Sequence, residues 1–496
     1  MQTEPTYARL TRFEVAALLF VVVLAKVWAI GASHIYDDAF ITYRYALNLA
    51  QGHGMVFNPG AAWEPVLGTT TPGYTAVLAG AIRAGFDPVN ASLVLNGLFD
   101  LCSAVLLLSL LGWRRWSGAL AVLAFSSMPE FVRISAGGME APLFLLAALL
   151  AIWLQRRERF IGCGVAAALA CTLRPEAVLL VLIVLMDSRR SLAALVRILL
   201  PVGLIGSAYT AVLVWYYGSP IPHSVMSKAK MHGGSPLLDT WREILEQSFL
   251  PAGTKLQIFY LLLLPFVCVG FWRGLRSRSG VRPLLLLSLM MTAAYLAARP
   301  HTWGWYYYVP LCAWVVALGL GLEPLVERAG HPLLRVHGER LARITVLALT
   351  LSVAAILWLV TRYREDHVAS RVYAPIAAWA EEVDLAHGGQ TVQASDIGAI
   401  GFYGGGGLVY DSEGLTWPEA LLHPSAMDLV LTVLPDYLLL TAVQDRVRAL
   451  RERADVARAY YPVRRFSARG ETDLEPEIDD LTDHWVQDYL LYRRRL

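Results

Sequence analysis

The sequence predicts an α-helical polytopic membrane protein that carries a small extracytoplasmic α/β domain at its C-terminal end. Three observations lead there. Apolar residues make up 56% of the 496 positions and charged ones only 17%, where soluble proteins are about one-quarter charged. Apolar runs recur along residues 1–362, separated by short arginine-rich loops. From residue 363 onward the runs shorten to strand length and charge becomes frequent. This composition excludes an ordinary soluble enzyme. The near balance of 42 basic and 40 acidic side chains also excludes a nucleic-acid partner held by bulk charge.

A bilayer core takes about 20 apolar residues as helix, and shorter runs serve when they are packed inside protein. Such runs lie at 13–31, 90–112, 117–135, 138–154, 160–173, 175–187, 192–217, 256–272, 282–298, 306–323 and 342–361, about eleven spans in all. The first reads as a retained anchor, because no small-residue cleavage site follows it. Orientation comes from arginine in the short loops. Arg9 and Arg12, Arg114 and Arg115, Arg156 to Arg159, Arg189 and Arg190, Arg273 to Arg282 and Arg328 to Arg343 all face the cytoplasm if residues 71–86 lie along the outer surface without crossing. The N-terminus is then cytoplasmic. The outer face receives the first loop (32–89), the turns near 137–140 and 174–176, the loop 218–255, the turn 299–305 and the tail. Two domains are expected: a transmembrane catalytic domain over 1–362 and a soluble outer domain over 363–496.

In the tail, strand-like runs at 390–394, 408–410 and 437–441 alternate with helical stretches at 373–385 and 443–454, a pattern of α/β type. The run Gly404–Gly407 reads as a hairpin turn and lacks the spacing of a phosphate-binding loop. The five cysteines sit inside apolar runs without metal-site spacing or a disulfide framework.

The residues that carry chemistry gather on the outer side. Tyr36-Asp37-Asp38-Ala39-Phe40-Ile41-Thr42-Tyr43-Arg44-Tyr45-Ala46 follows the first span directly. Adjacent carboxylates repel, which raises one pKa unless a cation compensates. On a helix they point about 100° apart, so one can face an acceptor while the other holds a sugar hydroxyl or a metal. The plain alternative is an acidic helix start. His53 follows in a Gly-Pro-punctuated loop, most simply as a hydrogen-bonding loop residue. Glu140, Arg174 and Glu176 are costly charges near the bilayer, serving either as substrate contacts or as a local ion pair that caps two helices. Lys228 and Lys230 follow Pro222-His223-Ser224 on the side where positive charge is disfavoured. Only four lysines occur in the chain, the other two being Lys26 and Lys255. A lipid phosphate would explain the outer pair, since lysine binds phosphate as a point charge. Arg299 and His301 stand in an aromatic boundary segment from which they can reach the same site.

These pieces resemble the polytopic bacterial glycosyltransferases of the GT-C superfamily, and within it the group of the mycobacterial terminal arabinofuranosyltransferase. The resemblance rests on the acidic pair with Phe-Ile-Thr-Tyr-Arg-Tyr-Ala, on Gly52-His53-Gly54-Met55-Val56-Phe57-Asn58-Pro59-Gly60, and on Gly138-Met139-Glu140 and Leu173-Arg174-Pro175-Glu176. Pro222-His223-Ser224 with Lys228, Asp396-Ile397-Gly398-Ala399-Ile400-Gly401-Phe402-Tyr403 and Tyr410-Asp411-Ser412-Glu413-Gly414 follow in order. It implies a polyprenyl-phosphate sugar donor and a hydroxyl acceptor on a glycan, lipid or protein, with transfer on the outer face of a bacterial cytoplasmic membrane. It also implies that Asp37 is the general base, with Asp38 the next candidate. Donor phosphate binding is expected at Arg174, Lys228, Lys230 and Arg299. Further substrate contacts are expected at Tyr43, Arg44, His53, Glu140, Glu176, His223, His301 and Asp396. No cofactor is required, although a divalent cation (Mg or Mn) can bridge Asp38 and the phosphate. Two departures stand out: Leu67-Gly68-Thr69 occupies a place where the arabinosyl relatives are expected to have an acid, with Glu64 three residues earlier, and the tail is shorter than theirs.

Two other readings compete with an enzyme. A transporter or flippase of lipid-linked sugar would call for repeated halves and interrupted helices, which the sequence lacks, although Lys26 and Asp100 are charges at membrane depth. A non-catalytic membrane scaffold is the third.

Overall fold

The computed structural model describes residues 10–31, 35–232, 236–248, 254–276, 280–300, 302–329, 368–423, 425–481 and 487–495. The span expected at 342–361 and the residue His301 lie outside them. In chain order the first helices are α1 (Arg12–Gly31), α2 (Asp37–Gln51), α3 (Pro72–Arg83), α4 (Pro88–Leu111), α5 (Trp116–Ser127), α6 (Pro129–Ser135), α7 (Ala141–Arg156) and α8 (Phe160–Leu173). There follow α9 (Ala177–Ser188), α10 (Leu192–Tyr217), α11 (His223–His232), α12 (Leu237–Ser248), α13 (Thr254–Arg276), α14 (Arg282–Ala298) and α15 (Tyr308–Ala329).

Among the described residues the apolar runs become helices, with one correction. The run expected at 117–135 breaks into α5 and α6, because Pro129 excludes its predecessor from helical geometry and Met128 is extended at φ −65°, ψ 132°. Residues 71–86 hold α3, as expected of a helix that need not cross. Pro88–Leu111, Leu192–Tyr217 and Gly304–Leu325 are long and apolar enough to cross a membrane. Along α10, Leu192, Leu199, Leu200, Leu204 and Trp215 are all exposed. An outward apolar face of this length is stable against lipid and not against water.

The chain folds as two compact units. The first comprises Met1–Ser33, Leu93–Tyr209 and Gly234–Arg364 and is a helix bundle. In it α15 packs against α5, α13 and α14, and α7, α8 and α9 pack in sequence. Backbones touch where glycine permits: a Cβ on Gly270 would overlap the Ala317 carbonyl, and one on Gly321 the Phe266 carbonyl. Without a hydrophobic drive between helices in lipid, such close packing is what holds them. Polar ties reinforce it. Glu323 accepts hydrogen bonds from Arg115 Nη2 at 2.7 Å and Ser117 Oγ at 2.9 Å. Lys26 and Asp100 form a buried ion pair at 2.6 Å, and Tyr308 donates to Asp100 at 2.7 Å.

The second unit comprises His34–Ser92, Thr210–Gly233 and Glu365–Leu496. The first outer loop and the tail therefore form one body, although the chain leaves it at Ser92 and the tail begins only at Glu365. Its sheet contains β1 (Thr391–Ala394), β2 (Leu408–Asp411), β3 (Tyr437–Thr441), β4 (Tyr460–Ser467) and β5 (Asp488–Arg494). The strand order is β2-β1-β3-β5-β4; β1 runs parallel to β2 and β3, and β5 antiparallel to β3 and β4. All five residues of β3 are buried, as befits a central strand covered on both faces. Helix Gln444–Glu452 covers one face with Val447 and Leu450, which join Leu438, Leu440, Leu490 and Tyr492 in the core. The glycine run is not a hairpin. Because β1 and β2 are parallel, the chain must cross over, and it does so through the short helix Gly398–Tyr403, after which Gly405 takes φ +62°.

Candidate active site

Helix α2 opens on the two aspartates and buries one face, with Ala39, Phe40, Tyr43 and Ala46 fully covered. That burial fixes where its first turn points. Asp37 Oδ2 accepts a hydrogen bond from the backbone N–H of Gly398 at 2.8 Å, and Oδ1 from that of Ala399 at 2.9 Å. Position 398 must be glycine, because a Cβ there would overlap Asp37 itself. Burial pushes the Asp37 carboxyl up to about 6; the two N–H donors oppose the shift and the neighbouring Asp38 charge adds to it. Asp38 is half-buried and takes no hydrogen bond from the described residues.

Two more acids complete a cluster within this unit. Burial holds Asp396 well above the usual carboxylate range, with the charges of Asp37, Glu413 and Asp38 pushing the same way; Thr441 Oγ1 donates to Asp396 Oδ2 at 3.2 Å. Burial also raises Glu413, opposed by Arg446, with which it is ion-paired, and by Lys228. The loop between Asp396 and Glu413 is shaped by Asp411. Its Oδ1 accepts from the N–H of Glu413 at 3.0 Å, and its Oδ2 from the N–H of Thr416 at 2.7 Å. His223 joins the same loop, with Nδ1 2.8 Å from the Gly414 carbonyl. Asp37, Asp38, Asp396, Glu413, Lys228 and His223 thus belong to one unit and one loop system. Glu413 stands in the sequence only as part of the Tyr410–Gly414 motif, without a role, and Arg446 has no signal there.

Other expected site residues have structural partners. Arg44 is buried and donates to the carbonyls of Phe57, Gly401 and Gly407 and to Asn58 Oδ1. It clamps the first loop to the tail, and burial lowers its guanidinium pKa to about 9. Tyr43 shares a 2.6 Å hydrogen bond with Ser92. Arg174 lies in the first unit between Glu140 at 2.6 Å and Glu176 at 2.9 Å, with its guanidinium 4.3 Å from the Tyr306 ring centroid. The ion pair is thus three-way, with Glu140 joining Arg174 and Glu176, and Glu176 at the start of α9 makes no side-chain cap hydrogen bond. Arg299 ends α14 in the left-handed region at φ 48°. The side chain of Lys230 lies outside the described residues, while His53 is exposed beside a cavity. Among the described residues no three His, Cys, Asp or Glu side chains converge as a metal site.

The fold, a helix bundle with a loop-and-tail unit that presents clustered acids, is similar to that of solved glycosyltransferases of the GT-C type. Among solved structures, ArnT from Cupriavidus metallidurans bound to undecaprenyl phosphate is 11% identical with a TM-score of 0.59, and the match covers 97% of each chain. The oligosaccharyltransferase of Archaeoglobus fulgidus, in complex with Zn and sulfate, is 11% identical with a TM-score of 0.51 over 91% of this chain and 72% of that one. The mycobacterial arabinofuranosyltransferase AftD is 15% identical with a TM-score of 0.51 over 98% of this chain, but only 40% of AftD is covered. At such identities the likeness is one of fold. A family model described as a domain of unknown function (DUF8728) matches residues 360–489, and no curated protein matches by sequence.

Proposed function

We propose that the chain is a glycosyltransferase that moves a sugar from a polyprenyl-phosphate donor to a hydroxyl of a cell-envelope glycan, lipid or protein on the outer face of the bacterial cytoplasmic membrane, with Asp37 as general base. The observation that carries this reading is Asp37 itself, a carboxylate oriented by two backbone N–H groups with its pKa raised to about 6. A base works best with its pKa near the operating pH and its geometry fixed. Each oxygen of Asp37 accepts only one N–H, so lone pairs remain for the acceptor.

In this reaction the acceptor hydroxyl gives its proton to Asp37 while its oxygen bonds to the anomeric carbon. The bond from that carbon to the phosphate oxygen breaks, and the phosphate leaves with the electron pair. Lys228 meets the developing charge. Asp38, without a partner among the described residues, holds a sugar hydroxyl; a divalent cation there would need its remaining ligands from the substrate. The burial that raises Asp396 favours its protonated form, which limits negative charge around the leaving phosphate. ArnT crystallised with undecaprenyl phosphate lends support to the donor class. The arginine-rich loops support a cytoplasmic N-terminus and an outer tail, with about eleven spans when 342–361 is counted.

The test is transfer from a panel of synthetic polyprenyl-phosphate sugars by purified protein in lipid. Release of sugar or phosphate from at least one donor by the wild type, lost in Asp37→Asn, is expected. Movement of lipid-linked sugar across vesicles with no release from any donor would replace this reading with that of a flippase.

A further inference from the structure

A cavity of about 260 Å³ opens in the second unit beside the first outer loop, and its walls are unlike those of the acidic cluster. Trp63 forms one wall. Its ring packs against Tyr410 at 6.0 Å and Trp417 at 6.1 Å, and those two lie 4.9 Å apart, so the indole is braced from behind. Tyr216 enters the lining from the end of α10. Its hydroxyl stands where a Cβ on residue 54 would be, and Gly54 takes φ +89°, so only glycine leaves the space. Tyr45 donates to the Val66 carbonyl at 2.7 Å and accepts from the Gly68 N–H at 2.9 Å, which fixes the floor.

Two lining side chains are left over for a ligand. His53 and Glu64 are exposed, and their side chains make no hydrogen bond or ion pair with the described residues. One is an imidazole with a donor and an acceptor, the other a carboxylate with acceptors only. No lysine or arginine lines the cavity. A phosphate would meet a carboxylate with no cation to offset it, and an acyl chain would strand the polar groups unpaired. A neutral polyol ring satisfies every wall. Its C–H face covers the indole, and its hydroxyls bond to the carboxylate and the imidazole. The volume lies just under the range of about 300–1,000 Å³ that takes drug-sized ligands, which suits one ring and not a chain.

We infer that this cavity is a carbohydrate subsite that seats one sugar ring of the acceptor on Trp63, with Glu64 and His53 binding its hydroxyls. The inference rests on the glycosyltransferase reading and narrows it: the acceptor is a glycan, and it is gripped through a ring that does not react.

Saturation-transfer NMR on the full chain in nanodiscs, with the methyl glycosides of mannose, galactose, N-acetylglucosamine and arabinofuranose as probes, tests it. At least one glycoside is expected to receive saturation on the C–H face of its ring. Trp63→Ala is expected to weaken that glycoside about tenfold and Trp63→Phe to restore most of it, as a stacked ring requires. Glu64→Gln, at an exposed position that does not threaten folding, is expected to weaken it about threefold. Saturation of no glycoside by the wild type, or equal binding by wild type, Trp63→Ala and Glu64→Gln, overturns the inference. Donor hydrolysis by the wild type is scored separately. Hydrolysis without glycoside binding sinks the subsite alone, and glycoside binding without hydrolysis of any donor sinks the reaction alone.

Discussion

Each of the two units carries a knot of buried charge, and the two knots are balanced in opposite ways. In the helix bundle, Arg174 bridges Glu140 and Glu176, and Tyr295 adds a 2.9 Å hydrogen bond to Glu176. One arginine there serves two acids, and Glu140 Oε2, Glu176 Oε2 and Arg174 Nε keep no hydrogen-bond partner among the described residues. In the loop-and-tail unit, Asp37, Asp38, Asp396 and Glu413 crowd together, and Glu413 is ion-paired with Arg446. Three of these four acids have pKa values raised by burial. Acids that share an arginine tie helices together, whereas carboxylates kept near one another against their mutual repulsion are candidates for a site that works on something else. In the sequence the first knot stands out as costly charge near the bilayer and the second as an adjacent acidic pair; their partners then separate them.

The comparison is broken most directly by removing one member from each knot. Asp37→Asn is expected to lower transfer about 10²- to 10⁴-fold, the range of a lost general base, while the protein stays folded by size exclusion. Arg174→Met should do the reverse. It is expected to cost about 3–5 kcal/mol of stability, because it strands two buried carboxylates. The triple change Glu140→Gln, Arg174→Met, Glu176→Gln should recover part of that loss in thermal unfolding; an equal or larger loss would show that the knot does more than neutralise itself.

The pH dependence sharpens the contrast. Asp37 must be ionised to take a proton, so kcat/KM should rise with pH and level off above about 6. Stability should run the other way. A carboxyl whose folded pKa is raised binds its proton more tightly in the folded state. The contribution of Asp37 is therefore full below its ordinary value of 3.8 and lost as pH rises through about 6. Thermal unfolding between pH 4 and 7 checks this, and a melting temperature that climbs across that window would contradict it. The smallest expected effect belongs to Lys228→Ala: a rise of about three- to tenfold in donor KM, as for one charge-assisted contact. Unchanged donor KM would remove Lys228 from the phosphate site.

Much of this was legible in the sequence. Apolar run length placed the helices, since a bilayer demands a fixed length, and β1, β2 and β3 showed as short apolar runs. What escaped follows from distance along the chain. The strands β4 and β5 contain Arg464, Arg465, Arg493 and Arg494 and read as polar tail. They pair with each other, and Arg465 is neutralised by Asp488 at 2.7 Å. Arg44 was expected as a substrate contact from the motif it stands in; its partners include carbonyls as far away as Gly401 and Gly407. Trp63 carried no motif at all, and its significance depends on Tyr410 and Trp417 arriving behind it.

The central claim is that Asp37 accepts the acceptor's proton. Its most direct test is the pH profile of single-turnover transfer from a competent polyprenyl-phosphate sugar, compared between wild type and Asp37→Asn. The account predicts a wild-type rate that rises through about pH 6 and a slow mutant rate with no such inflection. A mutant that keeps the wild-type inflection, at whatever rate, would assign the base to another residue.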